Sequence, residues 1–404
     1  MRRVTRYLLW LFVLSVVPLG IVGSLPGLGT FSRLIGMAAI SAGALTTVAE
    51  GRIRKPGVIF WFALVFAVAS VLSLFWSVSY TDSAYRAQTY IQGVGLIWVV
   101  REFARTREEQ HSLLLAFCLG AFVFAFDLLR NFSAGVQLER YSAGGVNPNY
   151  VAFSLVTGFP MAWYLFLHHR RAIRILASLY CLVAPVAVLL TASRGAFIAG
   201  IATLSIIPLT LRRESFSSLV PVMVVLFGAA VTIGLVVPRQ SWDRLRTTTQ
   251  EIEGGTMSGR TQIWNIGWRL FQERPFLGAG AGAFPAAFES VRYGTAGAHN
   301  MLLALLVEQG IVGLCLFASL LGACAWIIIG LPSPDRKLWA VLMLAWLISG
   351  MSADSHTDKV TWVLFGLLAA QDGVKITRRH VSEAGQALLY PVPARRITSR
   401  SASR

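Results

Sequence analysis

The sequence GAHNMLLALLVEQGIVG, residues 297–313, marks the point where a long polar loop gives way to an apolar helix. The loop, residues 238–300, is the one long connection in a chain whose other apolar stretches are joined by short links. It carries seven arginines and places His299 at the start of the apolar helix. Because arginine forms bidentate contacts with phosphate, the stretch predicts a membrane protein with an anion site beside His299.

The composition excludes an ordinary soluble protein. The 404 residues are 55% hydrophobic and only 14% charged, with a mean hydropathy of +0.62, which indicates a polytopic helical membrane protein. The four cysteines fall inside apolar runs without CxxC spacing, so neither a disulfide framework nor a zinc site is predicted.

Twelve apolar windows close to the length of a bilayer core predict an all-α fold with about twelve transmembrane helices. The basic start, Met1-Arg2-Arg3, is interpreted as the beginning of an uncleaved first span. The windows are residues 7–23, 33–49, 58–77, 87–100, 111–129, 150–167, 174–191, 195–211, 219–237, 300–330, 338–351 and 359–371.

The lysines and arginines alternate between the connections and thereby predict the topology. Of the 36 basic residues, 23 fall in every second connection and at the two chain ends, which the positive-inside rule assigns to the cytoplasm. The net charge of +17 is therefore a topology signal, and nucleic acid is not an expected partner. The expected divisions are a bundle of nine spans (1–237), a large periplasmic loop (238–298), three further spans (299–372) and a basic cytoplasmic tail (373–404).

The loop is expected to contain an amphipathic helix at the membrane surface. The sequence RTQIWNIGWRLFQ, residues 260–272, places Trp264 and Trp268 on the apolar face of such a helix, and tryptophan suits the headgroup layer. Pro275 marks its end. The loop is thus predicted to lie against the outer membrane face.

Two polar patterns are given ordinary structural interpretations. The GxGxG string at Gly278, Gly280 and Gly282 follows no strand, so a flexible turn is expected rather than a nucleotide site. A further polar cluster, Asp354, His356 and Asp358, contains possible metal ligands, but polar turns of this kind are common and no second acidic cluster completes a site. No metal is predicted.

Several polar residues at the expected outer rim could bind substrate. Arg194 lies in a tight hairpin, where an anchor at the membrane boundary and a functional cation are equally consistent. Asn147 and Asn149 open the sixth span and could cap a helix or contact a sugar. His299 could cap or pack, or it could transfer a proton near neutral pH.

These motifs together resemble those of O-antigen ligases (WaaL type) and the wider O-antigen ligase/polymerase superfamily. The resemblance extends over about residues 190–315. It rests on His299-Asn300 followed after nine residues by Gly310-Ile311-Val312-Gly313, on Ser193-Arg194-Gly195, on Gly259-Arg260 before Trp264, and on Pro275-Phe276-Leu277-Gly278-Ala279-Gly280.

The resemblance implies a bacterial inner-membrane glycosyltransferase of GT-C-like architecture. It would transfer a glycan from undecaprenyl diphosphate to lipid A-core on the periplasmic face. The implied catalytic residues are Arg194 and Arg260, which would clamp the diphosphate, and His299, which would act as the base. Asn300, Arg269, Asn147 and Asn149 are further substrate-binding candidates. With no acidic nucleophile in the motifs, a single inverting displacement without metal or cofactor is expected.

Three other functions remain open at this point. A polymerase would use the same lipid-linked donor but extend a second lipid-linked glycan. A protein-glycosylating relative is expected to carry a larger outer domain than this chain has. A lipid-linked sugar transporter would place polar residues near the membrane midplane, whereas here they gather at one rim.

Overall fold

Helices account for nearly all of the regular secondary structure among the described residues, as the apolar windows predict. The structure is a computed structural model that describes residues 1–371 except 19–20, 22, 26–28, 136–137, 212–215, 248–258 and 293. The predicted basic tail, residues 373–404, therefore lies outside the described residues. Two two-residue strands, Ser24–Leu25 and Gly29–Thr30, pair in antiparallel fashion before the second helix.

The helices are numbered here in chain order within the described residues. They are α1 (Arg2–Val16), α2 (Phe31–Glu50), α3 (Val58–Leu72), α4 (Tyr80–Phe103), α5 (Arg107–Ser133), α6 (Pro148–His168), α7 (Arg171–Leu190), α8 (Arg194–Leu204), α9 (Ile206–Leu211), α10 (Phe216–Val236), α11 (Arg239–Arg246), α12 (Arg260–Glu273), α13 (Phe284–Glu289), α14 (Met301–Ile329), α15 (Ser333–Gly350) and α16 (Lys359–Gln371).

Within the described residues, eight helical segments are long and apolar enough to cross a membrane. They are Phe31–Glu50, Val58–Phe75, Arg107–Ser133, Pro148–His168, Arg171–Leu190, Arg194–Leu211, Leu219–Val236 and Met301–Ile329. The all-helical, multi-pass prediction is confirmed at this level.

The other four predicted spans also coincide with helices, but each falls short of a span by length or composition. Helices α1 and α16 have 15 and 13 residues, which is less than a bilayer core requires. Helix α4 has a polar first half, and α15 has three charged residues among its first five. Eight of the twelve predicted spans therefore meet the criterion by themselves.

Helix α6 forms the centre of the bundle and determines where the polar residues at its start lie. Nearly all of its residues are buried, and it packs against α5, α7, α8 and α15. Asn147 caps its first turn by accepting the Asn149 N–H at 2.9 Å. The two asparagines are thereby held at one end of the bundle, which we call the loop end because the described residues of the 238–300 loop lie there.

A break in α14 receives the glycine-rich segment 275–282. Gly310 adopts a φ of +65° inside the helix, and the freed backbone groups pair with the segment: Ile311 N–H donates to Pro275 O at 2.8 Å, and Gly280 N–H to Glu308 O at 2.8 Å. A Cβ atom on Gly310 would lie 2.3 Å from Phe276 O. The string predicted as a flexible turn is therefore a buried, hydrogen-bonded segment, because the helix break supplies its partners.

The amphipathic helix predicted in the loop is α12, and it packs closely on α14. Gly267 permits the approach, since a Cβ there would lie 2.9 Å from Leu303 Cδ2. Trp264 Nε1–H donates to Ala298 O at 3.0 Å. This bond joins α12 directly to the residue before His299.

Candidate active site

A tight hairpin between α7 and α8 forms the centre of the loop end. Ala192 takes a left-handed φ of +47°, and Ser193 then caps α8 by accepting the Ala196 N–H. A Cβ on Gly195 would lie 2.2 Å from Ser352 Oγ, so the hairpin lies directly against the turn that follows α15. The motif Ser193-Arg194-Gly195 thus starts a helix, presents a cation and allows close packing.

Four arginines from four separate segments meet beside this hairpin. Arg140 precedes α6, Arg194 starts α8, Arg244 lies on α11 and Arg260 starts α12. Arg194 Nε–H donates to Arg244 O at 3.3 Å, and its Nη2 donates to Thr247 Oγ1 at 2.9 Å. We call these four residues the arginine cluster.

Asn149 links the arginine cluster to the hairpin. Its Oδ1 accepts from Arg140 Nη2 at 2.5 Å and from Ser193 Oγ at 2.8 Å, while Arg140 Nε–H donates to Thr191 O at 3.1 Å. Asn149 was predicted to belong to the turn and cap that open the sixth span, with contact with a sugar as the alternative. The structure uses its side chain oxygen to fix Arg140 and the hairpin relative to each other.

The four neighbouring guanidinium groups make the arginine cluster electropositive. Burial, followed by the charges of Arg244, Arg260 and Arg194, lowers the pKa of Arg140 to about 10. Burial also lowers the pKa of Arg260, although Asp354 opposes this effect. Arg244 has a described counter-ion, the exposed Glu139, at 3.4 Å. Crowding of four like charges is nevertheless unfavourable, so the cluster is suited to bind an anion.

His299 lies at the edge of the arginine cluster in a strained conformation. Its φ is +47°, and Ala192 is the other non-glycine residue with a positive φ among the described residues. Such strain is frequent at functional sites. Asn300 holds the next turn by capping α14, since its Oδ1 accepts the N–H groups of Leu302 and Leu303 at 3.0 and 3.2 Å.

Asp354, in the turn after α15, holds the backbone around His299. Its Oδ1 accepts the Asn300 N–H at 3.2 Å, and hydrogen bonds from the backbone of Asn300 and His299 favour its ionised form. Burial nevertheless raises the pKa of this carboxyl. A Cβ on Gly297 would lie 3.4 Å from Asp354 Oδ2, so the carboxylate is enclosed by the segment that carries His299.

Burial and a neighbouring cation favour the neutral form of the His299 imidazole. Burial lowers its pKa, Asp354 opposes that shift, and Arg260 reinforces it. A neutral imidazole can accept a proton near pH 7, and a nearby carboxylate stabilises the imidazolium that results. The pair has the electrostatic arrangement of a general base with its positioning partner.

The structure sorts the predicted site residues into three groups. Arg194, Arg260 and His299 come together, and Asn149, Asn147 and Asn300 form their framework. Arg269 is exposed on α12 and has no described contact with the arginine cluster. Five of the seven loop arginines are exposed in the same way; only Arg244 and Arg260 are half-buried.

The sequence did not indicate two residues of the site. Arg140 lies in an ordinary polar connection, and only its bond to Asn149 reveals its place. Asp354 was considered only as a metal ligand with His356 and Asp358. Of the two other residues of that possible metal site, His356 is buried beside Tyr90 and Phe317. No group of three or more possible metal ligands occurs among the residues the structure describes.

Comparison with known protein families matches residues 176–318 to the family described as O-antigen ligase. The match includes Arg194, Arg260 and His299, whereas Arg140 and Asp354 lie outside it. No curated protein matches the chain. Enzymes of this type serve lipopolysaccharide and polysaccharide biosynthesis and act on lipid-linked glycans.

Proposed function

Because residues 176–318 carry a domain of the O-antigen ligase family, we propose that the chain is an O-antigen ligase. It would transfer a polysaccharide from undecaprenyl diphosphate to a sugar hydroxyl of lipid A-core. The observation that carries this proposal is the arginine cluster beside His299 and Asp354. This arrangement places an anion site next to a neutral base at one end of a membrane bundle.

The arginine cluster would bind the diphosphate of the donor. As the bond between the sugar carbon and the diphosphate oxygen breaks, the electron pair moves onto that oxygen. The planar forks of Arg194 and Arg260 can stabilise this developing charge by bidentate hydrogen bonds. Arg140 and Arg244 add to the field, and Asn149 keeps Arg140 in place.

His299 would activate the acceptor. The imidazole takes the proton of the attacking sugar hydroxyl while the new bond from oxygen to the sugar carbon forms on the face opposite the diphosphate. The donor sugar is therefore inverted in one displacement. Asp354 holds the backbone of His299 and stabilises the imidazolium. Asn300, Asn147 and Arg269 are proposed as further residues of the substrate site. Asn300 and Asn147 would shape the site by capping the helices that form it, and Arg269 would contact the substrate.

The proposed setting is the bacterial inner membrane, crossed twelve times, with both termini in the cytoplasm and the loop end in the periplasm. The alternation of basic connections supports this orientation. A cysteine placed at exposed Gln272, in a chain whose native cysteines are replaced, tests it. Labelling of that cysteine in intact spheroplasts is expected. Labelling only after permeabilisation would show that the loop faces the cytoplasm and that the proposed orientation is wrong.

Reconstitution with two acceptors tests the ligase function against its nearest alternative. The purified chain is supplied with a glycan on undecaprenyl diphosphate and either lipid A-core or a second lipid-linked glycan. Transfer to lipid A-core supports the ligase. Transfer only to the second lipid-linked glycan would identify a polymerase, and translocation of the donor without transfer would identify a transporter.

A further inference from the structure

A cavity lined by charged and apolar side chains lies at the loop end, separate from the arginine cluster. Its volume is about 480 Å³, within the range of small-molecule sites. Helices α2 and α4 form two of its walls, and residues 357–359 form a third. The charged side chains that line it are Arg33, Arg86, Lys359 and Asp358.

The positive charges in this cavity exceed the negative ones. Arg33 makes no hydrogen bond or ion pair within the part of the chain that the structure describes. Arg86 Nε is buried and has no hydrogen-bond partner there. Among the described residues, Lys359 Nζ donates to two hydroxyls, those of Thr30 at 3.0 Å and Ser32 at 3.1 Å. Three cations and one carboxylate, Asp358, line the cavity, and Arg86 also interacts with the charges of Glu308 and Asp354 behind the lining. The lining itself therefore favours an anion.

Part of the cavity lining is apolar. It is formed by Met37, Ile40, Leu96 and Trp362, and Met37 is exposed on the outside of the bundle. A site that combines a basic polar end with an apolar side suits a lipid whose headgroup carries phosphate. A free sugar phosphate would leave the apolar wall uncovered.

The cavity lies beside the turn whose first residue, Asp354, holds the backbone of His299. Asp354, which holds the backbone of His299, begins the turn that continues into Thr357, Asp358 and Lys359 on the cavity wall. Arg86 also acts on Asp354 by its charge. The cavity also offers the carboxylate of Asp358 and the uncharged polar side chains of Thr89 and Gln92, which suit sugar hydroxyls as well as phosphate.

We propose that this cavity binds the phosphate-bearing sugar headgroup of an anionic glycolipid, the acceptor, and leads its hydroxyl towards His299. The inference rests on the proposed function only where it identifies the bound glycolipid as the acceptor of the transfer reaction. The binding of such a lipid does not depend on it. Donor and acceptor phosphates would then occupy opposite sides of the segment that carries Asp354.

Binding of defined lipids to the full chain in nanodiscs tests the proposal. The probes are lipid A-core with its phosphates, the same lipid after phosphatase treatment, and undecaprenyl diphosphate. Arg33→Gln should weaken binding of the phosphorylated glycolipid about tenfold, since one charge-assisted contact is lost. The phosphatase-treated lipid should bind weakly to both proteins, and undecaprenyl diphosphate should bind equally to both.

Arg239→Gln provides the matched control, because Arg239 is an exposed arginine of the loop without described contacts. Thr89→Trp, which fills the cavity without removing a charge, should also weaken glycolipid binding. The proposal is overturned if Arg33→Gln behaves like Arg239→Gln, if it weakens undecaprenyl diphosphate instead, or if phosphatidylglycerol competes as well as the glycolipid does.

The two proposals fail in different ways in this experiment. If the phosphorylated glycolipid binds in an Arg33-dependent manner but no transfer occurs, the cavity assignment stands and the ligase function fails. If transfer to lipid A-core occurs with an unchanged KM for the acceptor in Arg33→Gln, the ligase function stands and the cavity assignment fails.

Discussion

Replacement of Asp354 by asparagine removes one charge and leaves the shape of the site. Asp354 accepts a 3.2 Å hydrogen bond from Asn300 N–H, and the backbone of His299 also favours its ionised form. Asparagine can still accept one hydrogen bond through its carbonyl oxygen. The change therefore isolates the charge of Asp354 from its volume.

The expected loss of rate follows from those two hydrogen bonds. A hydrogen bond to an ionised acceptor is stronger than one to a neutral acceptor by roughly 1 kcal/mol. Two such bonds hold the strained His299 backbone by about 2 kcal/mol, so weakening them lowers the population of the productive geometry, and with it kcat, by up to about 30-fold. The loss of imidazolium stabilisation adds to this value.

The pH dependence of kcat/KM distinguishes this role from a merely structural one. The charge of Asp354 raises the pKa of His299, so Asp354→Asn should move the acid limb of the profile to lower pH. Asp243→Asn is the matched control, since Asp243 is an exposed carboxylate of the loop. Wild-type kcat and an unmoved acid limb in Asp354→Asn would refute the positioning role.

Three further predictions concern the arginine cluster and metal ions. Arg194→Lys and Arg260→Lys should each lower kcat/KM about a hundredfold, because an ammonium cannot form the bidentate fork; near-normal rates would show that charge alone suffices. Arg260→Gln should move the acid limb of kcat/KM to higher pH, since the charge of Arg260 lowers the pKa of His299 and protonation inactivates the base; a shift in the other direction would contradict this. Transfer should continue in EDTA because arginines meet the diphosphate charge, and a loss that magnesium or manganese restores would overturn this expectation.

The sequence predicted the helical bundle because membrane spans are local features. The apolar windows locate helices whatever their neighbours are, so each of the twelve windows coincides with a described helix. Whether a given helix crosses the bilayer depends in addition on its contacts with distant parts of the chain. Helix α4 shows this, because its polar first half, with Arg86, lies against Gly282 and the proposed acceptor cavity.

The sequence also predicted the residues of the site that belong to short motifs. Arg194 lies in its tight hairpin, and His299 lies at the junction of loop and helix, so both could be recognised in isolation. Arg140 and Asp354 could not, because each acquires its role through a contact across the fold. Asp354 meets Asn300 across 54 positions of the chain, and no spacing rule relates residues so far apart.

The glycine string shows why a correct motif can be given the wrong structure. Gly278, Gly280 and Gly282 have positive φ values, as a turn would require. The hydrogen-bond partners of this segment are the backbone groups freed by the break at Gly310 in α14. Residues 275–282 and Gly310 therefore belong to one structural feature, which accounts for the presence of glycine at both places.

The most direct test of the account compares donor binding and transfer in His299→Ala. The full chain in nanodiscs is mixed with donor on undecaprenyl diphosphate and with lipid A-core, and both donor affinity and single-turnover transfer are measured, with Arg260→Ala alongside. His299→Ala should lower transfer by roughly 10² to 10⁴ while donor affinity stays near that of the wild type. If His299→Ala weakens donor binding as much as Arg260→Ala does, His299 belongs to the diphosphate site and is not the base.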